Sequence, residues 1–292
     1  MSVSAAQVKE LRERTGAGMM ECKKALQEAG NIEAAIEFLR KSGRAKADKK
    51  AGRIAAEGTV IARTNEDGKQ AILIEVNSET DFVARDQNFL TFANALANTA
   101  LAANNQDIAT LNHLPLVDHN VTVEEARQAL VAKVGENINI RRISLAHSDN
   151  KVATYIHGGR IGVLVTLDSD QPELARDVAM HIAACKPLVI SPEQVPAELV
   201  AKEKEIFVAQ AANSGKSPDI IEKMVSGRIK KYLDEISLLG QPFVRDPNTT
   251  VGALLNKNRA KVLSFTRFEV GEGIEKEAED FVEAVMSQVQ NS

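Results

Sequence analysis

Three constellations in this 292-residue sequence contain residue types that can do chemistry, and each is incomplete. Gly215-Lys216-Ser217 resembles the end of a phosphate-binding loop, where backbone N–H groups cradle phosphates and the lysine reaches them. Such a loop also needs a glycine five positions earlier, where Gln210 stands, and a preceding strand, where the spacing predicts a helix–helix turn. His181 and Cys185 are four residues apart on one face of a predicted helix and could share a metal ion. Two ligands do not close a site, and no second His or Cys pair flanks them. The third set, the remaining serines, histidines and acids, is dispersed and assembles no Ser/His/Asp group. There is no H-E-x-x-H, no paired C-x-x-C and no strand-following G-x-G-x-x-G. The expectation is a binding protein with no catalytic residue, no metal ligands and no cofactor.

The elements that would position a binding surface come from an internal repeat. An offset of 91 residues places Gly68 on Gly159, Leu73 on Leu164, Ser78 on Ser169, Ala84 on Ala175, Arg85 on Arg176 and Asp86 on Asp177. Each copy predicts a strand, a glycine-containing hairpin, a second strand and an amphipathic helix, so the middle of the chain is a duplicated α+β core. Asn137–Ala146 is expected as a strand leading into the second copy. Aromatic residues are scarce, with nine Phe, two Tyr and no Trp. Phe82 falls opposite the charged Glu173 of the second copy, which frees it from core duty. Thr80 or Asp81 can cap the following helix, and Phe82 is then expected at its exposed first turn.

Ahead of the repeat, residues 4–42 predict three short helices, opened by an S-x-x-Q capping box at Ser4 and closed at Gly43. Met19 and Met20, after the Thr15–Gly18 turn, suit either a small core or a soft contact surface. Residues 41–53 hold six basic residues against one acid and predict a solvated linker helix. Ser191 to about Ser237 predicts two helices folded back on each other, an αα-hairpin or coiled-coil arm. A helix at Val251–Ala260, a strand at Val262–Val270 and a final helix at Glu275–Gln290 follow. The expected organisation is a helical module at 1–43, a basic linker helix at 44–57, a core N-subdomain at 58–148, a core C-subdomain at 149–190 and 236–270, the arm at 191–235 and a C-terminal module at 271–292.

Composition bounds the function classes. A formal charge of −4 argues against bulk-charge binding of nucleic acid. No window approaches the ~18 apolar residues that suggest a membrane span, and the first ten residues lack a basic segment followed by an apolar one. Cys22 and Cys185 are both expected as small buried fillers, and the cytoplasm is the expected compartment.

Five stretches in order resemble the bacterial elongation factor Ts family: Val8–Leu26, Thr80–Ala84, Val134–Arg142, Gly240–Phe243 and Arg267–Lys276. The resemblance covers essentially the whole chain and implies an α+β fold: an N-terminal ubiquitin-associated-like three-helix module, a two-part core, an inserted coiled-coil arm and a C-terminal module. It implies a guanine nucleotide exchange factor for the GTPase elongation factor Tu, which displaces Mg²⁺ and promotes GDP release so that GTP can rebind. Thr80, Asp81, Phe82 and Val83 match the family's element that wedges near the partner's Mg²⁺ and switch region. Met19, Met20 and Lys23 match contacts of the helical module with the GTPase domain, as do Val134 and Gly135. His157 and Val244 match contacts made by the second half of the core. No direct nucleotide binding, membrane association or strong nucleic-acid binding is implied. Two other classes stay open from the residues alone: an RNA-binding translation protein using 41–53, and a chaperone-like scaffold using the arm.

Overall fold

The computed structural model describes residues 3–212 and 217–275, which fold as helices and small antiparallel sheets of the α+β class. In chain order come α1 (Ala5–Thr15), α2 (Met19–Ala29), α3 (Ile32–Lys50), β1 (Glu57–Thr64), β2 (Gln70–Ser78), α4 (Asp81–Ala84), α5 (Gln87–Ala102), α6 (Ile108–Asn112), α7 (Val123–Val134) and β3 (Asn139–His147). Then follow β4 (Ala153–His157), β5 (Ile161–Leu167), α8 (Pro172–Cys185), α9 (Ala197–Ala212), α10 (Pro218–Ile236), β6 (Pro242–Phe243), β7 (Asp246–Thr250), α11 (Val251–Lys257) and β8 (Val262–Glu269).

Helix α1 begins at a reciprocal cap, in which Ser4 Oγ accepts from the Gln7 N–H and Gln7 Oε1 accepts from the Ser4 N–H. Val8, Leu11, Cys22, Ala25, Leu26 and Ala35 close a small core among α1, α2 and α3. Gly43 does not end α3, contrary to the expectation from sequence; the helix continues to Lys50. A glycine inside a helix costs about 1 kcal/mol relative to alanine. Here its bare surface faces α7, where a Cβ would sit 3.7 Å from the Ala132 Cβ. Much of the basic run is engaged within the molecule: Lys41 pairs with Glu37, Lys46 with Glu21 and Arg53 with Glu79, while Lys50 Nζ donates to the Gly135 carbonyl.

Two three-stranded antiparallel sheets follow, ordered β1-β2-β3 and β4-β5-β8. Strand β3, expected over Asn137–Ala146, is thus the third strand of the first sheet, and the chain runs from it into the second copy. The second sheet obtains its third strand only after α9 and α10 have intervened. β2 is buried on both faces. Ile72, Ile74 and Val76 meet Phe89, Phe92 and Leu96 of α5, whereas Ala71 and Leu73 meet Leu164, Phe268 and Val270 of the second sheet's unit. Val163, Val165 and Leu167 turn the other way, onto Val178 and Ile182 of α8 and Leu255 of α11. The result is helix, sheet, sheet, helix. Gly162 lets the sheets meet, since a Cβ there would lie 2.5 Å from Val60 Cγ1 and 2.6 Å from Leu73 Cδ1.

The copies diverge after their second strands. The second runs into the single helix α8, while the first breaks at Arg85 into α4 and α5, the latter capped by Asp86 Oδ1. Helices α9 and α10 are antiparallel: Phe207 meets Tyr232 edge-on at 6.5 Å between centroids, while Arg228 Nη1 donates to Gln210 Oε1. Helix α11 ends at Lys257, short of Ala260. Cys22 is buried as expected, but Cys185 is exposed, because it ends α8 where the chain leaves the core. The expected C-terminal helix and most of 271–292 lie outside the described residues, as do Gly215 and Lys216. No helix among the described residues is long and apolar enough to cross a membrane.

Candidate functional site

Four residues form α4, and none of them is buried. Thr80 is its N-cap, with Oγ1 accepting from the Val83 N–H at 3.3 Å. Asp81 opens the helix and pairs with Arg85 at 2.9 Å on the surface. Phe82 follows at the second helical position and is 82% exposed, while Val83 turns inward against the α5 core. No other large hydrophobic side chain among the described residues is as exposed as Phe82.

The loop after α7 lies beside this turn. Glu136 receives both the Thr80 N–H (3.0 Å) and the Thr80 hydroxyl (2.7 Å), and Glu79 Oε1 accepts the Asn137 N–H at 2.6 Å. Val134 is half-buried at the end of α7, and Gly135 caps that helix at φ +81°. Lys133 extends the connection: its ammonium donates to Asn88 Oδ1 at 2.6 Å and lies 3.5 Å from where a Cβ would sit on Gly16. Three residues beyond Gly16, α2 begins with Met19 and Met20, 60% and 73% exposed, and Lys23 is exposed on the next turn. Neither methionine enters the small core. Contacts thus join the Thr80–Val83 turn to Glu136, and Lys133 reaches the Gly16 turn that precedes α2.

His157 and Val244 stand apart from that set. No hydrogen bond or ion pair among the described residues joins either of them to Thr80–Val83. His157 is exposed at the β4–β5 turn, its Nδ1 3.1 Å from the Tyr155 hydroxyl. The Gly159 carbonyl of this turn accepts from Val60 N–H and Thr59 Oγ1, which fastens the turn to the first sheet. Val244 is exposed, and its N–H donates to His181 Nδ1 at 3.1 Å. That bond leaves the His181 proton on Nε2, where it is donated to Gln241 Oε1 at 2.9 Å. Both imidazole nitrogens are occupied, so His181 acts as a core strut and not as a partner for Cys185 in metal binding. Burial, partly offset by Gln241, holds the imidazole below its ordinary pKa.

Sequence reasoning missed a buried ion cluster behind this surface. Glu75, fully buried in β2, accepts from Arg141 Nη1 (2.9 Å), Arg142 Nε (2.5 Å), Asn77 Nδ2 (3.1 Å) and the Gly271 N–H (2.8 Å). Burial alone would raise the carboxyl, but the Gly271 N–H and the two guanidiniums outweigh it and hold its pKa below the usual carboxylate value. Arg142 also donates to the Glu269 carbonyl and stacks 4.2 Å over the Phe268 ring. The cluster therefore ties both sheets to the loop entering the C-terminal segment. A lone acid inside the apolar run Ile72-Leu73-Ile74-Glu75-Val76 was the visible signal.

Comparisons with known proteins agree on one family. The family profile described as "Elongation factor TS" matches residues 79–272. The chain is similar to Elongation factor Ts of Legionella pneumophila strain Philadelphia 1, with 56% identity over 289 residues covering 99% of each chain. It is also similar to Elongation factor Ts of Methylococcus capsulatus, 56% identical over the whole of both chains. The protein of that name from Alcanivorax borkumensis is 59% identical over 279 residues, 95% of this chain and 98% of the relative.

Proposed function

The chain belongs to the elongation factor Ts family and is a translation elongation factor, and from that premise we propose that it is a guanine nucleotide exchange factor for elongation factor Tu. It binds the GDP complex of that GTPase, displaces Mg²⁺ and promotes GDP release so that GTP can rebind. The observation that carries this reading is Phe82, an aromatic ring 82% exposed on a capped one-turn helix within the matched region.

In this reading the chain works by contact, as a non-enzymatic cytoplasmic protein with no cofactor and no nucleotide site of its own. Thr80 to Val83 form the wedge: Phe82 inserts beside the partner's Mg²⁺ and switch region, Asp81 follows it, and Thr80 and Val83 hold the turn. Met19, Met20 and Lys23 meet the GTPase domain together with Val134 and Gly135, and His157 and Val244 meet another part of the partner. A Mg²⁺-bound diphosphate is held largely by charge. Loss of the metal leaves phosphate repulsion that the partner's phosphate loop must bear alone. Coupling is reciprocal: a factor that weakens GDP is itself weakened by GDP, so either ligand can leave the ternary complex. The six-part organisation, with 1–43 as a ubiquitin-associated-like module, 191–235 as a coiled-coil arm and 271–292 as a C-terminal module, belongs to the same proposal.

Stopped-flow release of a fluorescent GDP analogue from elongation factor Tu tests it. The expected result is a release rate that rises with added chain and saturates. Unchanged release overturns the exchange reading. Salt-steep RNA binding in its place would favour the basic 41–53 segment, and capture of unfolded clients without exchange would favour the arm.

A further inference from the structure

Helix α4 is a single turn of four residues whose side chains are at most half-buried, Val83 resting on the α5 core, and an isolated turn of that length has no stability of its own, because nucleation costs more than one hydrogen bond returns. Something outside it must therefore fix the direction of Phe82. The neighbouring contacts supply that constraint in reciprocal form. Glu136, in the loop after α7, takes the N–H and the hydroxyl of Thr80 at 3.0 and 2.7 Å. Glu79, in the loop before α4, takes the N–H of Asn137 at 2.6 Å. Each loop's carboxylate thus closes on the other loop's backbone.

The clamp is itself supported on both sides. The Thr80 carbonyl accepts from Ser78 Oγ at 2.9 Å, and the Asn137 side chain donates to the Arg53 carbonyl at 2.8 Å. Arg53 Nη1 lies 3.5 Å from the second oxygen of Glu79. With its N–H, carbonyl and hydroxyl all engaged, Thr80 has a fixed peptide plane, and the two residues after it inherit their direction. Carboxylate-accepted hydrogen bonds are shorter and stronger than neutral ones, which suits a clamp on a surface element.

We propose that Glu136 and Glu79 are positioning residues for exchange, a reciprocal carboxylate clamp that holds the Thr80–Val83 wedge in its active orientation and locks it to the Val134–Gly135 loop. This rests on the exchange reading above. The clamp touches neither nucleotide nor metal and acts through where it leaves Phe82.

The test compares wild type, Glu136→Ala and Glu136→Gln in stopped-flow GDP release over a range of chain concentrations, with thermal melts in parallel. Losing a charge-assisted pair of hydrogen bonds is expected to lower the maximal release rate of Glu136→Ala about tenfold or more. The half-saturating concentration should move less than about threefold, because the distributed contacts remain. Glu136→Gln should fall between wild type and Glu136→Ala, since an amide still accepts from the Thr80 N–H and can donate to its hydroxyl oxygen, but both bonds are then neutral. A wild-type maximal rate in Glu136→Ala, or an effect confined to half-saturation, overturns the clamp. So does a Gln variant as slow as the Ala variant. Hydrogen exchange on the wild-type chain gives a readout that no folding defect can obscure: the Thr80 and Asn137 amides should be protected, and exchange at unstructured rates overturns the clamp. No acceleration by wild type defeats the exchange reading and leaves the protection result standing, so the two failures are distinguishable.

Discussion

Truncating Phe82 to alanine separates folding from recognition. In the free chain the ring is 82% exposed, so its loss removes little packing, and a surface change of this kind alters stability by about 0.5 kcal/mol or less. Against a partner the ring can be buried, and full burial of a Phe is worth about 1.5–3 kcal/mol. If that energy is realised only as the metal leaves, catalysed GDP release should fall roughly 10- to 100-fold. Phe89 is the internal control: it is fully buried beneath β2, and Phe89→Ala should cost about 3–5 kcal/mol of stability. Fluorescent GDP release and thermal melting on the same samples report the two effects. Wild-type release by Phe82→Ala would refute the assignment of the wedge. A melt as depressed as that of Phe89→Ala would refute the reading of Phe82 as a side chain free of structural duty.

Two further outcomes concern the frame behind the wedge. The folded-state pKa of Glu75 is depressed, so its contribution to stability is complete above the unfolded carboxyl value of about 4.3 and is lost as pH falls through the folded value. Chemical denaturation at stepped pH should show that acid limb. Glu75→Gln, which leaves Arg141 without its countercharge and Arg142 with Glu272 alone, should lose about 1.5–3 kcal/mol at neutral pH and flatten the limb; an unchanged limb would exclude Glu75 as its source. Gly162→Ala would drive a methyl to within 2.5 Å of Val60 Cγ1 at the sheet–sheet contact. It should cost about 1–3 kcal/mol by overpacking, and an unfolding midpoint at the wild-type value would contradict the close approach.

Local rules made much of the frame legible. The Ser4 box is a three-residue pattern and forms as written. The exposed Phe82 could be found because its repeat partner is Glu173 and a core position would not take a charge. What could not be read required tertiary information. Gly43 carries the signature of a helix end, yet α7 packs against it and favours continuation. Cys185 has the spacing of a buried helix face and is exposed because it is the last residue of α8. Glu79 and Glu136 are polar loop residues more than fifty positions from the backbone they hold, and only the approach of two loops reveals them.

One geometric reason underlies the exposure of three apolar side chains. A helical side chain leans toward the N-terminus and covers the turn before its own Cα. Met19 and Met20 are the first two residues of α2, and Phe82 is the second of α4. For these three there is no preceding turn to cover, so the side chains project past the helix end into water. That makes them available, but it does not make them sufficient. Burying all three would return about 4.5–9 kcal/mol, while association costs an estimated 4–15 kcal/mol in lost freedom before any affinity is observed. A factor relying on this edge alone would bind weakly or not at all. In the proposed complex, contacts must therefore come also from the second half of the core, where the turn of His157 is pinned to β1 through Gly159 and Val244 is anchored by His181. The His157 turn is bonded to the start of β1, whose Glu57 pairs with Ser78 just before the wedge, so binding energy gathered at that turn would help hold Phe82 in place.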